Sequence, residues 1–194
     1  PLTLVQGPLQ DVLDGRLGPT PEPVREQVKT VLASGRRLGE LVEQLLDLAR
    51  LESGELRLNV RREDLAPLFQ RMSAAFGALA RRRGIAFEPM VPDGGIMATV
   101  DADQMEKVWA NLLSNALKFT PEGGRVGFRV EAVRGDLVVS VDDDGPGIPP
   151  EEQELIFERF HQVDASPSRA HEGTGLGLAL VREVTVLHGG TVEL

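Results

Sequence analysis

The stretch from Asp103 to Pro121, D-Q-M-E-K-V-W-A-N-L-L-S-N-A-L-K-F-T-P, limits the possible folds of this chain more than any other. Met105, Val108, Trp109, Leu112, Leu113, Ala116 and Leu117 recur at steps of three and four, which predicts an amphipathic helix with a wide apolar stripe. A stripe of that width must be buried in a core. It leaves Asn111 and Asn115 unexplained: four residues apart, they stack on one face, with Lys118 a turn further on. Asparagine is a mediocre helix former because its amide competes for backbone hydrogen bonds, so a pair in register points to a face that meets something polar. An amide oxygen can ligate Mg²⁺ while phosphate oxygens and water fill the other positions, and an ammonium can hold a phosphate. Two solvated amides at the helix edge are the alternative, and the helix alone does not choose between them.

With 194 residues, 41% of them hydrophobic, one full domain plus a smaller element is expected. A formal charge of -9 with scattered arginines argues against a nucleic-acid surface, which needs clustered cations. The absence of cysteine excludes disulfides, thiolate catalysis and zinc-thiolate sites and permits a cytoplasmic location. The three histidines are too dispersed for a metal cluster. No apolar run has the length of a membrane span and no signal peptide opens the chain, so the expectation is a soluble segment without direct membrane contact, compatible with the cytoplasmic part of a membrane-bound parent.

Leu2, Val5, Leu9, Val12 and Leu13 have helical spacing with Gly7-Pro8 as a weak point, and the Gly- and Pro-rich stretch from Asp14 to Pro23 predicts a turn with Thr20 as N-cap. A long helix then runs to about Ser53. Val24, Val28, Val31, Gly35, Leu38, Val42, Leu45 and Ala49 make a heptad seam along it, widened by Leu32, Leu41, Leu46 and Leu48. One hairpin cannot cover that seam; a homodimer in which two hairpins form a four-helix bundle can. Packing of the helix on its own domain is the competing reading. From residue 54 the chain alternates strands and helices. A strand is expected over Glu55 to Val60, a helix over Asp64 to Arg83, and short strands at Ile85 to Phe87 and Ile96 to Val100. After the asparagine helix come a hairpin of Arg125 to Ala132 with Leu137 to Val141, a helical piece from Glu151 to Phe160, a helix from Gly175 to Leu187 and a strand from Thr191. The order suits an α+β fold, a two-layer α/β sandwich with a mostly antiparallel sheet.

The hairpin leads into V-D-D-D-G-P-G-I-P, Val141 to Pro149. Flanked by Val141 and Ile148, this acidic turn suggests a partly buried site where Asp143 accepts a hydrogen bond from an exocyclic amine such as adenine's, while Gly145 and Gly147 let a flat ring approach the backbone. An ordinary acidic turn is the alternative. G-T-G-L-G-L, Gly173 to Leu178, opens a helix with free N–H groups, a ready anion site. By itself this glycine motif is weak, because it lacks the dinucleotide-fold spacing and no P-loop occurs anywhere in the chain.

Together, Asn111 to Pro121, Asp143 to Pro149, Ile156 to Phe160 (I-F-E-R-F) and Gly173 to Leu180 resemble in identity, order and spacing the N, G1, F and G2 boxes of sensor histidine kinases. L-L-D-L-A-R-L-E-S-G-E-L from Leu45 resembles the end of that family's dimerisation helix, and L-H-G-G from Leu187 its usual continuation. P-L-T-L-V-Q-G-P-L at the start resembles the segment just after the phosphoacceptor box in hybrid-type members. The resemblance covers nearly the whole chain. It implies a partial dimerisation and phosphotransfer hairpin over residues 1–53 and a GHKL (Bergerat) ATP-binding domain over 54–194. It further implies ATP and Mg²⁺ as cofactors, a response regulator receiver domain as partner, and transfer of the γ-phosphate to a histidine. Carried over residue by residue, Asp143 reads adenine, Asn115 ligates Mg²⁺ with help from Asn111, and Lys118 holds phosphate. Gly173, Gly175 and Gly177 cradle the phosphates with Thr174 and Leu176 between them, Gly145, Gly147, Ile148 and Phe119 line the nucleotide, and His161 to Glu172 forms a lid. Phe119 stands where tyrosine is commoner in the family, and Phe160 is read either as packing the lid base or as touching nucleotide.

Related ATPases of the gyrase, mismatch-repair and chaperone type resemble this domain in fold but carry a glutamate four residues before the metal-binding asparagine. Here that place holds Asn111, which cannot take a proton, so slow hydrolysis is expected. The family's acceptor histidine belongs to a box of which Pro1-Leu2 resembles the end, so the acceptor is expected outside this chain, as is a further strand after Leu194. His161, His171 and His188 are expected to be solvated or lid-packing side chains. A nucleotide-sensing dimerisation module and a GHKL-type ATPase are the two competing readings.

Overall fold

The computed structural model describes residues 2–54, 56–163 and 174–194, in two compact units, Pro1–Glu55 and Leu56–Leu194.

The first unit is a helical hairpin, α1 (Leu2–Leu13) and α2 (Glu22–Glu52). Pro8 lies inside α1 without ending it. Arg25 Nη2 donates to the Leu13 carbonyl at 2.5 Å, closing the end of α1, and Arg36 Nη2 donates to Gln10 Oε1 at 3.1 Å. The predicted Thr20 cap is not used. Pro21 is the N-cap, because its fixed φ of -56° suits the position and its carbonyl already accepts from the N–H groups of Val24 and Arg25. Leu32, 4% exposed, lies on the side of α2 turned toward α1. The flank of the heptad seam formed by Val24, Val31, Leu38, Val42 and Leu45 is 42–51% exposed.

The second unit contains β1 (Arg61–Asp64), α3 (Ala66–Arg82), β2 (Ala86–Met90), β3 (Met97–Val100), α4 (Ala102–Phe119), β4 (Arg125–Val133), β5 (Asp136–Asp143), a 3-10 turn (Leu155–Phe157) and α5 (Gly177–Leu187). The predicted strand over residues 55–60 is displaced to 61–64. Pairing begins at Arg61 opposite Val100, and beyond Val100 the partner turns into α4, so Asn59 N–H donates to the Asp101 carboxylate rather than to a strand. Strand pairing is mostly antiparallel, as expected, but it is divided between two sheets. β1 and β3 form an antiparallel pair, and β2-β4-β5 form a mixed sheet in which β2 and β4 run parallel. The crossover through β3 and α4 makes that parallel pairing possible. The β4–β5 hairpin turns on Arg134 and Gly135, both at positive φ, a two-residue turn whose twist matches the strands. The helical piece expected over Glu151 to Phe160 is a set of turns around the 3-10 segment, and the described residues Thr191–Leu194 are not paired as a strand.

One face of the three-stranded sheet is covered by helices. Val126, Phe128 and Val130 of β4 alternate inward and are 0–2% exposed, against Phe69 of α3 and Trp109 of α4. The Phe69 ring lies 4.6 Å from that of Trp109 and 6.0 Å from that of Phe128. Of the stripe foreseen on α4, Val108, Trp109, Leu113, Ala116 and Leu117 are buried, while Met105 and Leu112 are half-buried. Arg125, Arg129, Glu131 and Asp142 face outward and are exposed or half-exposed, the ordinary pattern for a sheet solvated on one side.

Asp64 joins the two halves of the small sheet: its Oδ1 accepts from the N–H groups of Ala66 at 3.0 Å and Ile96 at 2.8 Å, and these bonds hold its pKa below the usual carboxylate value. The stabilisation is therefore full above the unfolded carboxyl pKa of about 4 and is lost as pH falls through the lowered folded value. Thermal melts of the wild type and Asp64→Asn are expected to differ near neutral pH and to converge in acid.

Candidate nucleotide site

Three segments far apart in sequence meet around the second half of α4. The first is α4 itself. Asn111 is half-buried; its Nδ2 donates to the Lys107 carbonyl at 2.9 Å, and its Oδ1 is turned toward the start of α5, where a Cβ at position 177 would lie 2.7 Å away. Glycine is thus the residue type that admits this close approach at position 177 without a shift. Asn115 and Lys118 follow on the same face, both half-buried. Lys118 Nζ stands 4.4 Å from the centroid of the Phe119 ring, a cation–π contact, and Phe119 is 40% exposed. The end of α4 is held firmly. Buried Thr120 donates from Oγ1 to the Ala116 carbonyl at 2.7 Å, and Arg83 Nη1 donates to the Leu117 carbonyl at 2.9 Å.

The second segment leaves β5. Strand alternation places Asp143 opposite Val126, on the same helix-covered face as Val141. The expectation of a partly buried carboxylate is corrected here: Asp143 is exposed, because it is the last strand residue and lies past the end of the apolar core. Its Oδ1 accepts from Gly145 N–H at 2.8 Å. A Cβ on Gly145 would collide with that carboxylate and would stand 3.5 Å from the Phe119 carbonyl, so this glycine serves the Asp143 turn and brings it to the end of α4. Gly147 has open space around its Cα but a φ of +72°, so the backbone shape, rather than room for a ring, requires it. Ile148 is half-buried and its carbonyl accepts from Gln153 Nε2 at 3.3 Å.

The third segment enters α5. Thr174 Oγ1 accepts from Leu176 N–H at 3.1 Å, Leu176 is 2% exposed, and Gly175 at φ +68° passes directly against the backbone of Phe160. Phe160 itself has a φ of +62°, donates its N–H to the Gly175 carbonyl at 2.8 Å, and is 65% exposed. The helix begins at Gly177, two residues later than foreseen, and no side chain caps it. Its first-turn N–H groups and dipole favour an anion. Gly173, His171 and most of the lid foreseen from His161 to Glu172 lie outside the described residues.

The two described histidines are engaged rather than solvated. His161 Nε2 pairs with Glu152 Oε2 at 2.5 Å, and His188 bonds Asp101 and Val184. Neither Asp101 nor Arg83 stands out as a functional residue in the sequence, and His188 does so only as a histidine after a helix. Asp101 nonetheless has a legible signal: followed three residues later by Gln104 it makes a capping pattern, and its Oδ1 accepts from Gln104 N–H at 3.1 Å.

Among the described residues no group of carboxylates and histidines is placed to hold a metal ion by itself, and no helix is long and apolar enough to cross a membrane. The neutral oxygens of Asn111 and Asn115 fit a cation whose charge is met by a bound polyphosphate.

The family model described as histidine kinase-, DNA gyrase B-, and HSP90-like ATPase matches residues 100–194, and that described as His Kinase A (phospho-acceptor) domain matches residues 1–54. Hybrid signal transduction histidine kinase D of Dictyostelium discoideum is 41% identical over 100% of this chain and 13% of its own length. The mycobacterial sensor histidine kinase MprB is 35% identical, with a TM-score of 0.54 over 67% of this chain and 80% of its own. Full-length ShkA in complex with AMPPNP superposes with a TM-score of 0.71 at 27% identity, over 97% of this chain and 41% of its own. The chain spans 13% of the length of that Dictyostelium relative and 33% of that of the Staphylococcus aureus sensor protein SrrB.

Proposed function

The chain belongs to the sensor histidine kinases, and from that premise we propose that its second unit binds Mg-ATP and delivers the γ-phosphate to a histidine for relay to an aspartate of a response regulator receiver domain. The observation that carries this reading is the meeting of the asparagine face of α4 with the uncapped start of α5, Asn111 Oδ1 against Gly177. Asp143 reads the adenine amine with the carboxylate oxygen that Gly145 does not occupy. Gly173, Gly175 and Gly177 bring backbone N–H groups to the phosphates, and Lys118 adds a cation beside them. Asn115 and Asn111 offer oxygen to Mg²⁺, which when bound neutralises phosphate charge. The protein's share is positioning and charge: no carboxylate stands at position 111 to activate water, so phosphoryl transfer to a protein acceptor is favoured over hydrolysis.

The exposed flank of α2, Val24, Val31, Leu38, Val42 and Leu45, has the heptad spacing that a second copy of the hairpin would cover, which makes a homodimer the proposed state. The parent protein, incubated with Mg-ATP, is expected to acquire an acid-labile, base-stable phosphoryl group on histidine. Nucleotide binding with no such group would favour a sensing module, and steady release of inorganic phosphate would favour an ATPase.

A further inference from the structure

The helices that carry the site, α4 and α5, run antiparallel and touch at two marked points. At the end nearer the nucleotide, Asn111 meets Gly177; at the far end, Asp101 ahead of α4 meets His188 behind α5. Asp101 is 7% exposed and ties three segments together. Its Oδ1 accepts from Gln104 N–H at 3.1 Å, its Oδ2 accepts from Asn59 N–H at 2.8 Å, and its own N–H donates to His188 Nε2 at 3.1 Å. His188 Nδ1–H in turn donates to the Val184 carbonyl at 2.8 Å. An amide N–H can only donate and a carbonyl can only accept, so the two neighbours together fix the ring as the neutral Nδ1–H tautomer.

We propose that His188 and Asp101 are positioning residues for phosphate binding: they set the register of α5 along α4, and with it the place of the α5 N-terminus relative to Asn111 and Asn115. The inference rests on the Mg-ATP reading above. The contact lies a whole helix length from the phosphate site. Its leverage comes from rigidity, because Val181 and Val184 of α5 are 0% exposed and the helix moves as a body. A slip of one residue is about 1.5 Å along the axis, and displacements near 1 Å at a site can cost about a hundredfold. Adenine recognition is on β5, a different element, and is spared.

The test compares ATP and AMP binding, with Mg²⁺, by calorimetry on the full chain. For His188→Ala the expected result is ATP weakened about tenfold or more with AMP nearly unchanged. His188→Gln, whose amide oxygen can accept from Asp101 N–H, restores the ATP to AMP ratio. Equal weakening of both nucleotides, or a fall in melting temperature with the ratio unchanged, would overturn the proposal while leaving the Mg-ATP reading intact. A wild-type chain that binds no ATP would overturn both. Nitrogen-15 NMR of the unmodified chain gives an independent check: His188 is expected to carry its proton on Nδ1, and a proton on Nε2 would overturn the proposal.

Discussion

Asn115→Ala is expected to reduce Mg-dependent phosphoryl transfer by the parent kinase about a hundredfold or more without destabilising the fold. Groups that merely orient a metal's ligands are worth about 10–100-fold, so a direct ligand sits at or above that range. The fold survives because Asn115 is only half-buried, while its neighbours Ala116 and Leu117, 3% and 1% exposed, hold the helix in the core. Alanine is also the better helix former, by about half a kcal/mol. Melting temperature should therefore stay level or rise while phosphohistidine formation falls, and Mg²⁺ titration of the residual rate should show a weakened metal dependence. A parallel loss of stability would place Asn115 in the fold rather than the chemistry.

Gly175→Ala is expected to damage the fold and the site together. A Cβ there would lie 2.6 Å from the Cα and carbonyl carbon of Phe160 and 3.0 Å from His161 N, all backbone atoms that cannot swing aside. The residue also sits at φ +68°, where an L side chain costs about 1–2 kcal/mol. Relief of the clash breaks the Phe160 N–H bond to the Gly175 carbonyl, worth about 1 kcal/mol. The sum, about 2–3 kcal/mol, corresponds to a fall of roughly 5–10 °C in the melting temperature of a unit this size. ATP affinity should fall with it, because the segment entering α5 is displaced. Gly147→Ala is the control: its φ of +72° is equally demanding but nothing lies within 4 Å, so only the backbone cost is expected.

How much of the fold and the site is legible in the sequence divides along physical lines. Periodicity places α2, α3 and α4 within a few residues, because each buries one continuous stripe and the stripe is written locally. Gly145, Gly147, Gly175 and Gly177 are legible as backbone requirements, although the structure changes the reason for Gly145 and Gly147, from room for a ring to the turn made by Asp143 and a positive φ. Pairing is not legible. Leu56, Leu58 and Val60 alternate as well as many strands do, yet whether they pair depends on where the partner ends, and Asp101 turns the partner into α4. The parallel β2–β4 pairing likewise depends on a crossover, not on either strand. The contact between Asp101 and His188 joins residues 87 apart, and His188 read alone looks like any histidine after a helix. The exposure of Asp143 comes from its place at the strand's last residue, which alternation alone does not fix.

Calorimetric titration of this chain with Mg-ATP, beside the Asp143→Asn variant, tests most directly whether the chain is an Mg-ATP-binding kinase core. A hydrogen bond to a charged acceptor is worth about 1.5–3 kcal/mol, so saturable binding is expected of the wild type and binding about 10- to 100-fold weaker of the variant, with an unchanged melting temperature. Equal affinities for the two proteins, or no binding by a wild-type chain that melts cooperatively, would contradict it.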